Sequence, residues 1–353
     1  MDKFYALLRF SVHAEDVVPQ IEDKDWGLIF TLAQRHSLLG VIFYGILKSG
    51  LKPPQHYIFQ FFSYCEKIKV YNRKTNDVAI EVTRLFEQNG FRSCILKGQG
   101  NSLNYPDPYS RSSGDVDIWL EGGKEQIVKF INSQWPGQLE RYHHVEIPPI
   151  KGVPIEVHFM PAYMRNPLYN RRLQKWFAEQ AEEQFSHAVM LPDSEKYIYI
   201  PTPEFNCVYQ LQHMFSHLLT EGFGLRHVTD YYFVLVQYTG EKEKIQKVLK
   251  YLGLWKFAGA MMWVMQRVYN LDSKYLIASP NQKEGEFLLS EILHSGNMGY
   301  YDTRLGHKEG ESLVHRYFRM TLRNMRFVMH YPAETLFEPL FRTWHFFWRL
   351  AHK

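Results

Sequence analysis

Asp115 and Asp117 stand two apart in the run DVDIWL, and Glu156 follows about forty residues later in PIEVHF. In an extended chain, residues two apart share a face. The two aspartates therefore present their carboxylates side by side, while Val116 and Ile118 turn to the other face. Neighbouring carboxylates with nothing to pair them repel and are costly to ionise together. A hard divalent cation removes that cost, because Mg²⁺ prefers oxygen ligands and typically takes one or two carboxylates plus substrate phosphates. Glu156 lies in a second alternating segment and is a candidate third carboxylate, with His158 two residues on beside it.

Upstream, ILKG ends an apolar run in Gly98, and GNSL follows as a helix start. Backbone N–H groups at such a junction can hold a phosphate, and glycine permits close approach. Gly98 and its neighbours Gln99 and Gly100 are thus expected to cradle a triphosphate. Lys97 is either a phosphate contact or a solvated lysine at the strand end. Arg111 has three open readings: contact with nucleotide, pairing with an active-site carboxylate, or a salt bridge holding its loop. A strand, a glycine turn, a helix start and a D-x-D strand together make a phosphate-plus-metal site, whose chemistry is in-line displacement at phosphorus.

The elements that must position these residues are legible from periodicity. FRSCILKG reads as a buried strand and DVDIWLEGG as an alternating one. KEQIVKFINSQ reads as an amphipathic helix, and YHHVEI and VPIEVHFMP read as two strands joined at Lys151-Gly152. Before this segment the chain reads as helical. Pro53-Pro54 makes a break, and a long amphipathic stretch then places Val78, Val82, Leu85 and Phe86 on one face and closes at Gly90. After Pro203 the helical pattern resumes, with FNCVYQLQHMFSHLL, LRHVTDYYFVLVQ, EKIQKVLKYLG, FAGAMMWVMQRVY and EGEFLLSEILH in succession and two aromatic-rich helices at the end. The expected architecture is α+β: a helical segment over 1–90, a small α/β core over 91–200 and a helical domain over 201–353.

The run LKGQGNSLNYPDPYSRSSGDVDIWL resembles the signature of the uncharacterised nucleotidyltransferase family, within the DNA polymerase beta-like nucleotidyltransferase superfamily. The pattern is carried by Leu96-Lys97-Gly98, Tyr105-Pro106-Asp107-Pro108, Arg111, Asp115-Val116-Asp117 and Glu156-Val157-His158. GLRHVTDYYFVL, with Arg226 and Asp230 one turn apart, and SGNMGYYD at 295–302 are similar to further family segments. The resemblance implies a small mixed-sheet nucleotidyltransferase core, flanked by N-terminal helices and a C-terminal helical domain. It also implies two Mg²⁺ ions held by Asp115, Asp117 and Glu156, with an NTP such as ATP as substrate. The superfamily's first motif places serine or glycine after the first glycine, where this chain has Gln99 and then Gly100. A register using Gly100 or Ser102 is therefore open, and so is a non-catalytic or regulatory nucleotide-binding protein that retains the fold.

Composition bounds the partners. Of 353 residues, 45% are hydrophobic and 22% charged, as in an ordinary globular chain. The 25 Phe, 23 Tyr and 8 Trp fit large packed interfaces better than base stacking. A net charge of +4 is modest, so duplex DNA is not expected as a partner. The acceptor stays open among a small molecule, a protein side chain and an RNA end. Arg165, Arg171, Arg172 and Lys175 form a small basic cluster that reads as a solvated helix face. Cys65, Cys94 and Cys207 are isolated and fit reduced, buried thiols. The start lacks a signal peptide, and no stretch is long and apolar enough to span a bilayer, so a cytoplasmic location is expected. AGAMMWVM, bounded by Lys256 and Arg267, reads as a core helix.

Several histidines invite a metal reading. Strand alternation sends the adjacent His143 and His144 to opposite faces, so at most one is expected to join His158. His213 and His217, at helical i and i+4, read as packed rather than ligating, because the intervening MFS lacks the glutamate of HExxH. Arg226 and Asp230 read as an i, i+4 ion pair, or Arg226 reaches a phosphate if the helical domain folds over the site. The final helix, with Arg342, Arg349 and Lys353, reads as closing a core in preference to lying on a membrane.

Overall fold

Two prolines open the element that supports the sheet. In the computed structural model, which describes residues 1–13, 17–304 and 312–351, helix α4 (Gln55–Gln88) starts directly after Pro53-Pro54. It ends at Gly90, whose φ of +81° and the Phe91 N–H bond to the Phe86 carbonyl turn the chain out of the helix. Three shorter helices precede it: α1 (Asp2–Val12), α2 (Trp26–Arg35) and α3 (Leu39–Ser49).

The sheet follows at once: β1 (Ser93–Leu96), the short helix α5 (Gly98–Ser102), β2 (Val116–Leu120), helix α6 (Lys124–Gln134), then the hairpin β3 (His144–Ile150) and β4 (Val153–His158). The strand order is β1-β2-β4-β3, with β2 and β4 parallel and the other two pairs antiparallel. Lys151 and Gly152, at φ of +51° and +72°, make the hairpin turn, as a two-residue loop with both centres left-handed requires. Pro148-Pro149 sits on β3, the edge strand, where the missing N–H groups cost least and the register shifts.

One face of the sheet buries Val116, Ile118 and Leu120 with Ile95, Ile155 and Val157 against Val78, Val82 and Phe86 of α4 and Ile127 and Ile131 of α6. The other face is divided. Toward β1 it is core: Trp119 stacks on Phe205, at 6.0 Å between rings, and packs on Phe185 at 4.5 Å. Toward β4 it is polar and open.

Helix α7 (Pro167–Gln184), capped by Asn166, leads to a small hairpin of β5 (Ala188–Met190) and β6 (Tyr197–Tyr199) that lies against β1. The expected elements did not include this hairpin. Helices α8 (Pro203–Thr220), α9 (Leu225–Gln237), α10 (Lys242–Tyr251), α11 (Trp255–Tyr269) and α12 (Gln282–Ser295) follow, then α13 (Leu313–Met325), α14 (Pro332–Thr335) and α15 (Glu338–Ala351). Residues of α1–α3 and α8–α12 belong to one continuous apolar core. The AGAMMWVM segment lies within it, on α11, and no helix among the described residues is long and apolar enough to cross a membrane.

The basic cluster comes apart in three dimensions. Arg165 precedes α7 and is buried, whereas Arg171 and Lys175 are exposed on it and Arg172 donates to the Tyr251 carbonyl. Helix α15 packs Phe341 and Trp344 on Tyr142, at 5.1 and 5.7 Å, and leaves Leu340 and Phe347 exposed. Lys353 and the side chain of Arg349 lie outside the described residues.

Asp230 does not take Arg226 as its ion-pair partner. Its carboxylate receives Arg111 Nε and Nη2, both at 2.8 Å, and the Tyr105 hydroxyl at 2.6 Å. All three residues are buried, so this pair joins the loop before β2 to α9 with almost no solvent to screen it. Removing one member leaves the other charge buried and unpaired, which costs about 3–5 kcal/mol. Asp230→Asn should lose stability by about that amount in urea unfolding. Tyr105→Phe, which removes one hydrogen bond to a charged acceptor, should cost roughly 1.5–3 kcal/mol.

Candidate active site

The register of the sheet places the chemistry. Asp117 on β2 is paired across the parallel ladder with Glu156 on β4, and Glu156 with Glu146 on β3. Two residues further along the same face, Trp119, His158 and His144 make the next row. Residues two apart share a face, so Asp117, Glu156, His158 and His144 form one polar surface. They line the floor of a cavity of about 400 Å³.

Asp117 is 4% exposed, and its carboxylate has cationic neighbours on both oxygens. Lys97 Nζ is 3.1 Å from Oδ2, and His158 Nε2 is 3.0 Å from Oδ1. Burial alone would raise the Asp117 carboxyl, but Lys97 and His158 outweigh it and hold it below the ordinary carboxylate range. The same exchange acts on the partners. Burial works against the Lys97 and His158 cations, yet the carboxylates keep Lys97 above its usual value and push His158 up to about 9. Glu156, 3.4 Å from His158 Nε2, is lowered despite burial by that hydrogen bond. Asp115 stands just before β2 at the cavity rim, exposed, and is raised to about 6, chiefly by the Asp117 charge beside it.

Lys97 is carried on strained backbone. It sits at φ of +56° between β1 and α5, a region that residues with a Cβ rarely enter. The tight turn therefore falls on the lysine, whereas Gly98 is outside the left-handed region. Lys97 Nζ also meets His213 Nε2 at 3.1 Å.

Two expected members of the phosphate cradle do not line the cavity. Gln99 is buried beneath α5, and a Cβ on Gly100 would meet Ile200 at 3.0 Å. The reason is helical geometry: successive residues of α5 point about 100° apart, so its inner side packs on the segment after β6. Asn101 is the α5 side chain on the cavity, held by Gln210 of α8 at 2.7 Å. Lys97, Gly98 and Arg111 line it.

The opposite wall comes from α8 and α9. His213 and His217, 3.0 Å apart, face the cavity together with Arg226 and His227. Arg226 donates to the Ser112 carbonyl, while its Nε and Nη1 of Arg111 are buried without a hydrogen-bond partner among the described residues. Asn101, Arg165, Gln210 and His227 were not expected as site residues, and only the packing of helix on sheet brings them here.

His143 and His144 both approach His158, with ring centres 5.1 Å away in each case. The expectation that only one would do so fails because the chain bends at Tyr142 and His143, and regular alternation begins only at His144. Among the described residues, the ligand atoms of Asp117, Glu156 and His158 lie within 4.8 Å of one another, as do those of His143, His144 and His158. Asp115 is in neither group.

Residues 22–270 match the model of a family described as uncharacterised nucleotidyltransferase. No curated protein is significantly similar to the chain. A similar solved structure is that of an antigenic nucleotidyltransferase-like protein from Paracoccidioides brasiliensis, 13% identical, with a TM-score of 0.36 over 60% of this chain and 96% of that one. At that score the likeness supports no argument.

Burial also sets how stability responds to pH. It lowers His36 to about 3 and holds His143, His213 and His227 well below the ordinary 6.5. These four stay neutral in the fold, whereas the unfolded chain protonates them below about 6.5, so stability falls with pH there. His158 acts the other way. Its folded value of about 9 makes its contribution complete below 6.5 and lost as pH rises through about 9. Thermal unfolding of the metal-free protein should show a midpoint that climbs from about pH 4.5 to 6.5 and declines again by about pH 9.5. A flat midpoint over the acid limb would remove the neutral buried histidines from the account.

Proposed function

The chain belongs to the uncharacterised nucleotidyltransferase family, and from that footing we propose that it moves a nucleoside monophosphate from an NTP to an acceptor hydroxyl, with Mg²⁺ as the metal and release of pyrophosphate. The observation that carries this reading is the pairing of Asp117 with Glu156 across β2 and β4, at the floor of a cavity whose far wall carries Arg226.

The donor set fits a divalent cation. Asp117 and Glu156 supply hard oxygens side by side, and Asp115 adds a third at the rim. Lys97 and His158 supply the positive charge beside Asp117 that a cation would otherwise bring. A bound divalent ion supplies Lewis-acid stabilisation of the charge that develops on the phosphoryl oxygens.

The remaining work falls to the chain. Lys97 beside Asp117, Arg111 Nη1 from the loop before β2 and Arg226 on the wall opposite the carboxylates offer positive groups to the triphosphate. Asn101, fixed by Gln210, orients it by hydrogen bonding. Glu156 accepts the acceptor's proton as its oxygen bonds to the α-phosphorus and the bond to pyrophosphate breaks.

A second reading has one observation of its own. Both oxygens of Asp117 already face a cation, so a nucleotide-binding protein that no longer transfers is supported by the same contacts. It predicts NTP binding without pyrophosphate release.

Incubation with each labelled NTP, Mg²⁺ and a cell extract should label an acceptor. Asp117→Asn should lower that transfer roughly a hundredfold or more. Arg226→Gln should mainly raise KM for the NTP. Unchanged transfer by the Asp117 variant would overturn the assignment, and binding without any pyrophosphate release would favour the second reading.

A further inference from the structure

Five ligand atoms run in sequence across the cavity floor. His143 Nε2 is 3.3 Å from His144 Nδ1, and that nitrogen is 3.5 Å from Glu156 Oε2. The same Glu156 oxygen is 3.4 Å from His158 Nε2, which is 3.0 Å from Asp117 Oδ1. Donors bound to one tetrahedral ion at about 2.0–2.1 Å stand about 3.3 Å apart. Consecutive donors of the row therefore stand at the separation of donors on one ion.

Its two ends differ in kind. The Asp117 end is carboxylate, and the His143–His144 end is imidazole. Hard oxygen donors suit Mg²⁺, whereas imidazole suits first-row transition ions such as Zn²⁺ and Co²⁺. We propose that His143, His144 and His158, with the Glu156 carboxylate between them, form a binding site for a first-row transition-metal dication, beside the carboxylate pair. The proposal is independent of nucleotidyl transfer, apart from sharing Glu156 and His158.

Three features support it. The ligand atoms of the three histidines lie within 4.8 Å of one another. His158 Nδ1 faces the Met160 carbonyl at 3.4 Å, an outer contact of the kind that fixes a ligating imidazole with its Nε2 toward the metal. Backbone pairing also fixes His143: its carbonyl accepts from Phe159 N at 3.2 Å, while its ring lies 5.0 Å from that of Tyr163. Glu156 Oε2, next to both His144 and His158, is the carboxylate placed to serve the three histidines as a fourth donor, the number that tetrahedral sites take.

The test is a titration of the full chain, stripped by chelator, with Co²⁺ as the probe, followed by its visible absorption and repeated with excess Mg²⁺. Co²⁺ should bind at least about a hundredfold tighter than Mg²⁺ and give the intense bands of a low-coordinate site. His143→Gln and His144→Gln, checked for fold by circular dichroism, should each weaken Co²⁺ by about ten- to a hundredfold. Equal affinity for Co²⁺ and Mg²⁺, or wild-type Co²⁺ affinity in both glutamine variants, would overturn the proposal. Tight Co²⁺ binding in a protein that transfers no nucleotide would overturn only the nucleotidyl-transfer reading.

Discussion

A buried and a half-buried carboxylate held next to each other by a β-ladder cannot both stay ionised without positive charge within a few ångströms. The parallel pairing of β2 with β4 imposes that condition on Asp117 and Glu156, and much of the surrounding structure answers to it. Lys97 adopts a left-handed backbone from which its ammonium reaches Asp117, and His158 holds a proton between the two acids. Strain at Lys97 is tolerated because a turn of the main chain between β1 and α5 is fixed on both sides, by the strand ladder and by the packing of Gly100 on Ile200.

The helical half is tied to this floor by a second charge pair. Arg111, from the loop leading into β2, gives two nitrogens to Asp230 of α9, and Tyr105 from the same loop adds its hydroxyl. This contact ties α9 to the loop before β2, beside the cavity that α8 and α9 line. Arg226 Nε and Arg111 Nη1 have no hydrogen-bond partner among the described residues, and an anionic ligand in the cavity would supply one. Carboxylates on the floor with Arg226 and the Arg111 nitrogen beside the same cavity form an arrangement that a metal-bound triphosphate complements at both ends.

Much of this was legible before any coordinates. Strands β1 to β4, helix α6, the break at Pro53-Pro54 and the turn at Lys151-Gly152 follow from periodicity and turn chemistry, which are local. So is the shared face of Asp115 and Asp117, although the two end up in different surroundings, one at the rim and one buried. Gln99 and Gly100 illustrate the limit. Composition gave a glycine-rich turn, but a five-residue helix places each side chain by rotation, and rotation is set by what the helix packs on. His143 and His144 illustrate another, since alternation holds within a strand and lapses at the bend before it.

The sequence alone determined which groups were available: a D-x-D strand, an E-x-H strand, a lysine–glycine turn, and helices on either side, with the family pattern that joins them. It determined these because side-chain type and local period are properties of short segments. Only the tertiary structure decided which acids share a floor, that Asp230 binds Arg111 and not Arg226, and that histidines from β3, β4, α8 and α9 line one cavity. Those are contacts between residues tens to more than a hundred positions apart, where register between strands and the docking of helices, and no local rule, fix the distance.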